Sequence, residues 1–126
     1  MSSAFLEAAG LQLDVIEPSY VSGWIDLGAE HHQPWGLVHG GVYTSAIESA
    51  ASLGASLAVQ DHGLMAVGVN NNTNFLRSMT AGRVAVEARP LQQSRTQQLW
   101  EVRLTDDEGR LVAVGQLRLQ NVTPRP

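Results

Sequence analysis

Residues 42–59 read VYTSAIESAASLGASLAV, and this stretch decides the fold. Its length and composition predict one long helix from Gly41 to about Gln60, in which Glu48 is the one ionisable residue. A helix that is apolar nearly all round is typically buried. Its many Ala, Gly and Ser side chains would let a sheet wrap closely around it. The stretch therefore predicts a central helix inside a curled sheet.

A membrane span is the alternative for this stretch, because residues 37–59 are long enough to cross a bilayer. Too many hydroxyl side chains lie along it for a lone span in lipid, where polar groups are costly. These side chains are Thr44, Ser45, Ser49, Ser52 and Ser56. We therefore favour the buried helix.

The rest of the chain is predicted to be mainly strands. Ser2-Ser3 followed by AFLEAA and Gly10 indicates a short capped helix. Apolar runs and apolar–polar alternation indicate strands near residues 11–15, 21–27, 64–69, 84–89, 100–105 and 111–119. The Asn-rich residues 70–74 are poor strand formers and suit either a site beside a ligand or a bulged strand edge. We expect an α+β fold, an antiparallel sheet of five to six strands wrapped around one long central helix, as a single domain over residues 1–126.

The composition excludes several classes of protein. The 126 residues are 44% hydrophobic and 16% charged, which disfavours disorder, and a net charge of −4 disfavours a general nucleic-acid binder. The absence of Cys excludes disulfides, thiolate metal sites and a Cys nucleophile. All eight basic residues are Arg, the only permanent cation available for an anionic ligand. No signal peptide is visible at residues 1–10, so we expect a cytoplasmic protein.

Glu48 is the first candidate functional residue. A carboxylate in the middle of a buried helix costs on the order of several kcal/mol unless it is paired or hydrogen-bonded. No Arg lies within a helical turn of it. Glu48 is therefore predicted either to be exposed at a gap in the sheet or to be held in a site, and an ordinary solvent-facing glutamate is the simpler alternative.

A stripe of residues connects Glu48 to the start of the helix, because Gly40, Thr44, Glu48 and Ser52 recur every four residues. Free backbone N–H groups at a helix N-terminus can polarise a carbonyl and stabilise an oxyanion. Gly40 and Glu48 are about 12 Å apart along the helix axis, too far to act on one carbon. A symmetric dimer would solve this by placing Glu48 of one chain opposite Gly40 of the other.

The segment QPWGLVHGGVYTSAIESAAS, residues 33–52, resembles the hot-dog-fold acyl-CoA thioesterases. More narrowly, it resembles their phenylacetate-pathway and aryl-CoA branch, which carries a catalytic Glu on the central helix. The resemblance covers roughly residues 11–121 and rests on Gln33, His39, Gly40, Glu48 and Ser52 together, since HGG alone is weak evidence. It implies hydrolysis of an acyl-CoA without metal or cofactor, by a dimer or a homotetramer with its active site between subunits.

The resemblance also implies a role for each of these residues. Glu48 matches the carboxylate that acts as nucleophile or as general base for water. Gly40 matches the glycine whose N–H polarises the thioester carbonyl, and His39 and Gln33 match residues that orient the thioester. Ser52 matches a hydroxyl that positions water.

Two further stretches match family segments that bind coenzyme A. The first includes Gly68, Asn74, Phe75, Arg77 and Ser78, and the second includes Gln92, Ser94 and Arg95. Arg77 and Arg95 would pair with phosphates, or are ordinary surface residues. Many relatives have His at the position of Phe75 and His-x-Gly at residues 92–94, so both stretches depart from the family pattern.

Other functions are less consistent with the sequence. A non-hydrolytic acyl-CoA sensor would lack the acidic residue, and a hot-dog hydratase or dehydratase would need an Asp/His dyad in its own motif. The four histidines match no common metal site, and a Ser45–His39–Asp61 triad lacks a nucleophile elbow. The acyl group stays open between aryl, arylacetyl, dihydroxynaphthoyl and short or medium aliphatic groups.

Overall fold

The computed structural model describes residues 3–125, which form two helices, two 3-10 turns and six strands. The helices are α1 (Ala4–Ala9) and α2 (Gly40–Val59), and the 3-10 turns are Ala29–His31 and Gln60–His62. The strands are β1 (Leu11–Glu17), β2 (Tyr20–Leu27), β3 (Met65–Phe75), β4 (Gly82–Gln93), β5 (Gln97–Thr105) and β6 (Leu111–Val122). Ser3 caps α1 as predicted, and Ser2 lies outside the described residues.

The six strands form one sheet in the order β1-β2-β4-β5-β6-β3. Every neighbouring pair is antiparallel, and α2 packs against all six strands. The predicted α+β fold, with an antiparallel sheet wrapped around one central helix, is confirmed. The sheet is open, and β1 and β3 are its two edges.

Small residues on α2 let the sheet approach the helix closely. A Cβ on Gly54 would collide with the ring of Trp100 and lie 2.9 Å from Val21 Cγ2. Gly115 lies in β6, on the sheet side of this contact, and a Cβ there would lie 2.8 Å from Ile47 Cδ1. Such distances are too short for a side chain to be added without movement, so these glycines set the helix–sheet spacing.

The burial of α2 is one-sided, unlike the all-round burial that its composition suggests. The face towards the sheet is buried, whereas Glu48 and Leu53 are exposed and Ser49, Ser52 and Ser56 are half-buried. The reason is that β1 and β3 do not meet over the helix. Neither described helix combines the length and apolar character that a membrane crossing requires.

β3 is longer than predicted and continues through the Asn-rich residues to Phe75. Asn71 Nδ2 donates to Thr44 O at 3.0 Å, and its Oδ1 accepts from Thr73 Oγ1 at 2.7 Å. The pairing with β6 shifts register between Gly68 and Asn70, which marks a bulge. The Asn-rich segment is therefore a bulged strand edge, and Asn71 ties that edge to the helix.

We expect Gly54→Ala to lower the free energy of unfolding by about 1–3 kcal/mol, because the added methyl is forced against Trp100 and Val21. Helix propensity alone predicts the opposite sign, since Ala is favoured over Gly by about 1 kcal/mol. Urea denaturation followed by Trp fluorescence measures the change. Gly68→Ala is the control, because a methyl there meets Leu117 at an ordinary 3.5 Å. An equal loss at both positions would contradict the packing argument.

The start of α2 depends on His39, whose Nδ1 accepts the Gly41 N–H at 2.7 Å as the helix N-cap. We expect His39→Ala to cost about 1 kcal/mol of unfolding free energy, the usual effect of losing a cap. His39→Asn should restore most of it, because Asn is a favoured N-cap residue. The same urea measurement checks both variants, and an Asn variant as unstable as the Ala variant would show that capping is not what His39 contributes.

Candidate functional site

Several clefts and a groove lie around α2 within residues 3–125, and each is named after one of its lining residues. The Gly40 cleft, about 390 Å³ at the N-terminal end, is lined by Gln33, Leu37, Val38, Gly40, Tyr43, Phe75, Leu76, Arg77, Ser78 and Met79. The Glu48 cleft, about 330 Å³ on the open face, is lined by Phe5, Leu6, Thr44, Ser45, Glu48, Ser49 and Asn71.

The loop before α2 positions Gln33 at the Gly40 cleft. Gln33 N–H donates to Leu37 O at 2.7 Å, and Val38 N–H donates to Met79 O at 2.9 Å, which holds the loop against the segment after β3. Gln33 Oε1 accepts the Trp35 N–H, so the amide Nε2 of Gln33 is left to donate. Trp35 itself is 84% exposed and does not line the cleft in a single chain.

His39 is exposed at the helix start, and capping decides which of its nitrogens can act. Because Nδ1 accepts the Gly41 N–H, a neutral imidazole carries its proton on Nε2. The backbone N–H of His39 donates to His31 O at 2.8 Å, which fixes the entry into the helix. His39 therefore offers one N–H donor beside Gly40.

Aromatic side chains cover Gly40. A Cβ on Gly40 would lie 2.9 Å from Phe75 Cε1, so the Phe75 ring rests directly on the glycine. The ring centroids of Phe75 and Tyr43 are 6.3 Å apart. Burial raises the pKa of Tyr43 to about 12. Sequence reasoning missed Tyr43, although its place three residues after Gly40 puts it on the same side of the helix.

Glu48 lies in its own cleft between α1 and β3. In the part of the chain that the structure describes, no hydrogen bond or ion pair holds its carboxylate. Thr44 and Ser45 both donate their hydroxyls to Gly41 O, at 3.1 and 2.6 Å, rather than to Glu48. Glu48 is thus an exposed, unpartnered carboxylate at a gap beside the sheet edge, one of the two placements that the sequence predicted.

The Ser52 groove continues from the Glu48 cleft along the open face of α2. It measures about 600 Å³ and shares Leu6 and Ser49 with the Glu48 cleft. Its other lining residues are Ser3, Glu7, Leu11, Gln12, Leu13, Ser52, Leu53, Ser56, Met65 and Ala66. The apolar Ser52 groove therefore extends from the Glu48 cleft along α2 and passes Ser52.

The Arg95 cleft lies at the opposite end of α2 and measures about 730 Å³. It is lined by Ala58, Val59, His62, Leu64, Gln93, Ser94, Arg95 and Gln98. Helix rise puts this end of α2 about 29 Å from Gly40. The structure thus separates the two predicted coenzyme A segments within one chain. His62, which sequence reasoning did not select, lies in this cleft.

Arg77 and Arg95 differ from most other arginines of the chain. Arg83, Arg89, Arg103 and Arg110 each pair with a carboxylate, whereas within residues 3–125 neither Arg77 nor Arg95 has an ion-pair partner. Both are exposed at a cleft. Unpaired guanidinium groups at cleft edges are suited to binding an anion such as phosphate.

Three residues of the predicted binding set lie away from these clefts. They are Gly68, Asn74 and Gln92, which line neither the Gly40 cleft nor the Arg95 cleft. Gly68 and Asn74 are exposed on the edge strand β3, and Gln92 is exposed at the end of β4. The structure brings Gln33, Gly40, Phe75, Arg77 and Ser78 into one cleft. Glu48 lies in the Glu48 cleft and Ser52 in the adjoining Ser52 groove.

Comparison with known proteins shows the family. A model of the Thioesterase superfamily matches residues 36–113. The Mycobacterium tuberculosis protein Rv1847 is 47% identical over 119 residues, which cover 93% of this chain and 85% of that protein. Its solved structure superposes with a TM-score of 0.93 at 45% identity and covers 98% of this chain and 100% of that one.

Two named enzymes are also similar to this chain. A 1,4-dihydroxy-2-naphthoyl-CoA hydrolase of Listeria monocytogenes is 30% identical over 108 residues, covering 86% of this chain and 87% of that enzyme. The proofreading thioesterase EntH of Klebsiella pneumoniae is 33% identical over 95 residues, covering 75% and 69%. The chain therefore belongs to the thioesterase superfamily and is a thioester hydrolase with the hot-dog fold.

Proposed function

We propose that this enzyme hydrolyses an acyl-CoA thioester, and that Glu48 of one chain acts on a carbonyl held at Gly40 of another. One observation carries the proposal. The Gly40 cleft holds the Gly40 N–H at the helix N-terminus and the unpaired Arg77, and no carboxylate lines it, while the unpartnered Glu48 is exposed two turns further along the same helix. Each chain therefore supplies half of a hydrolytic site, and a two-fold axis completes both halves.

The edge strand β3 supports such a dimer. Val67 and Val69 are 40% and 57% exposed, and β3 is hydrogen-bonded only to β6 within the sheet. A long edge strand with exposed apolar residues is a template for pairing with another chain. A second copy paired along β3 would lie beside the open face of α2 and next to Glu48. We propose this dimer, or a tetramer made of two such dimers, as the active form.

The groups around Gly40 fit a role in binding the thioester carbonyl. The Gly40 N–H at the helix N-terminus, the Nε2–H of His39 and the amide of Gln33 are donors that could converge on one oxygen. The partner's Glu48 then either attacks the carbonyl carbon, forming an anhydride that water hydrolyses, or takes a proton from an attacking water. In both routes the C–S bond breaks, coenzyme A leaves as a thiolate, and Ser52 orients Glu48 or the water.

The acyl group and the nucleotide would extend in different directions. The apolar Ser52 groove adjoins the Glu48 cleft and suits an aryl or a short to medium aliphatic acyl group. An aryl group agrees with the aryl-CoA branch that the sequence resembles and with the naphthoyl substrate in the name of the Listeria relative. The unpaired Arg77, with Ser78 beside it, would bind phosphate groups of coenzyme A.

The proposed dimer also gives Arg95 a role in binding the nucleotide of coenzyme A. If Glu48 of one chain lies opposite Gly40 of the other, the two α2 helices run antiparallel. Along the helix axis, the C-terminal end of the partner's α2 then lies about 17 Å from Gly40. The C-terminal end of the chain's own α2 lies about 29 Å from Gly40, which is farther. We therefore propose that the nucleotide is bound between Arg77 of one chain and Arg95 of its partner.

We expect the wild-type enzyme to release free coenzyme A thiol from acyl-CoA substrates, as measured with Ellman's reagent. The substrate panel contains the benzoyl, phenylacetyl, dihydroxynaphthoyl, hexanoyl and palmitoyl thioesters. Glu48→Ala should lower kcat at least about a hundredfold, because it removes the nucleophile or base. Ser45→Ala, also in the Glu48 cleft, is the control and should retain most activity, because its hydroxyl is bonded within the helix. Near-wild-type turnover by Glu48→Ala would refute the assignment.

Mixing two inactive variants tests whether the site lies between chains. We expect Glu48→Ala and Gly40→Val each to be inactive, and their co-refolded mixture to recover about a quarter of wild-type activity. Half of the dimers would be mixed, and each mixed dimer would have one intact site of two. Each variant refolded alone is the control. A mixture that stays inactive while mixed dimers are present would place Glu48 and Gly40 of the same chain in one site.

A further inference from the structure

Tyr43 is a buried residue of the Gly40 cleft whose polar group has no assigned role. Its side chain is 3% exposed, and within the described residues its hydroxyl has no hydrogen-bond partner. Leaving a buried hydroxyl unpaired is costly, so native proteins pair nearly all such groups. An unpaired one in a site cleft calls for a partner that arrives with the ligand.

Helix geometry directs the Tyr43 side chain towards the start of α2. Long side chains of a helix point back towards its N-terminus and lie over the residues three and four positions earlier. For Tyr43 these are Gly40 and His39, the residues with the free N–H donors. Tyr43 lines the Gly40 cleft together with Gly40 itself. Helix geometry therefore directs the Tyr43 side chain, with its hydroxyl, towards the end of α2 where a bound carbonyl would be.

Phe75 lies against Gly40 and close to the ring of Tyr43. Its ring rests on Gly40 and lies 6.3 Å, centroid to centroid, from the ring of Tyr43. Phe75 is 54% exposed, so its ring can rotate towards solvent without opening the core. A ligand that displaces the ring would uncover Gly40 and open the side of Tyr43 that faces Phe75.

The protonation state of Tyr43 suits a hydrogen-bond donor. Burial raises its pKa to about 12, so the phenol keeps its proton at every pH at which a thioesterase is assayed. A neutral phenol can donate to a carbonyl oxygen and donates more strongly as that oxygen gains negative charge.

We propose that Tyr43 is a substrate-contacting residue, and that its hydroxyl donates to the thioester carbonyl oxygen beside the Gly40 N–H. This inference rests on the proposed function, which places that carbonyl at Gly40. The two donors would share the oxyanion of the tetrahedral intermediate. No proton is transferred from Tyr43, so the stoichiometry of the hydrolysis is unchanged.

Tyr43→Phe tests the proposal by removing only the hydroxyl. We expect kcat to fall about tenfold to a hundredfold and KM to rise by no more than about fivefold, because the bond is made to the bound carbonyl and strengthens in the transition state. The melting temperature should stay level or rise, since the variant loses an unpaired buried polar atom. Tyr20→Phe is the matched control. Its hydroxyl donates to Glu87 at 2.6 Å on the outer face of the sheet, so its kcat should not change.

Ligand binding provides a second readout that needs no turnover. One acyl-CoA analogue would replace the thioester sulfur by methylene and keep the carbonyl, and a second would also reduce that carbonyl to methylene. Titration calorimetry should show that Tyr43→Phe binds the ketone analogue about fivefold more weakly than the wild type does. The two proteins should bind the methylene analogue with equal affinity.

The outcomes separate this inference from the proposed function. An inactive wild type, or a Glu48→Ala variant with full activity, would refute the proposed function, while the difference between the two analogues would still report on Tyr43. A wild type that needs Glu48 but not the Tyr43 hydroxyl would refute this inference alone. Equal losses of affinity for both analogues, or a kcat loss accompanied by a lower melting temperature, would assign Tyr43 a structural role and overturn the proposal.

Discussion

The contact between the small-residue face of α2 and the concave side of the sheet is the constraint on which the rest of the structure depends. Gly54 lies against the fully buried Trp100, and Gly115 lies against Ile47, so at both points a side chain from one layer packs directly onto the backbone of the other. This close approach lets all six strands contact one helix. It also explains the alanine-rich composition of α2, because larger side chains on that face would push the sheet away.

The same packing leaves one side of the helix uncovered. The sheet is open between β1 and β3, so the face that carries Glu48, Ser52 and Leu53 is only partly covered by the short helix α1. A carboxylate there keeps access to water and to a ligand. The fold therefore uses one face of α2 for stability and the opposite face for polar groups that the core could not accept.

The N-terminal end of α2 combines a structural and a chemical feature. His39 caps the helix with Nδ1, which orients its other nitrogen outward, and the adjoining glycines allow close approach to the backbone. The loop that contains Gln33 is hydrogen-bonded through the Val38 N–H to the segment after β3. That segment also contains Arg77 and Ser78. One loop–strand contact thus assembles a cleft from residues more than forty positions apart in the chain.

The sequence by itself determined the central helix, the antiparallel sheet and the identity of Glu48 as the one residue on the helix that is charged at neutral pH. These follow from apolar periodicity and composition, which are local properties of the chain. Only the tertiary structure decided which face of α2 is covered, that the Asn-rich segment is a strand edge tied to Thr44 through Asn71, and that Arg77 and Arg95 lie at opposite ends of the helix. It also decided that Tyr43 is buried beside Gly40 with an unpaired hydroxyl. These features depend on which strands become neighbours and where the sheet stays open, and both are set by long-range packing rather than by any single segment.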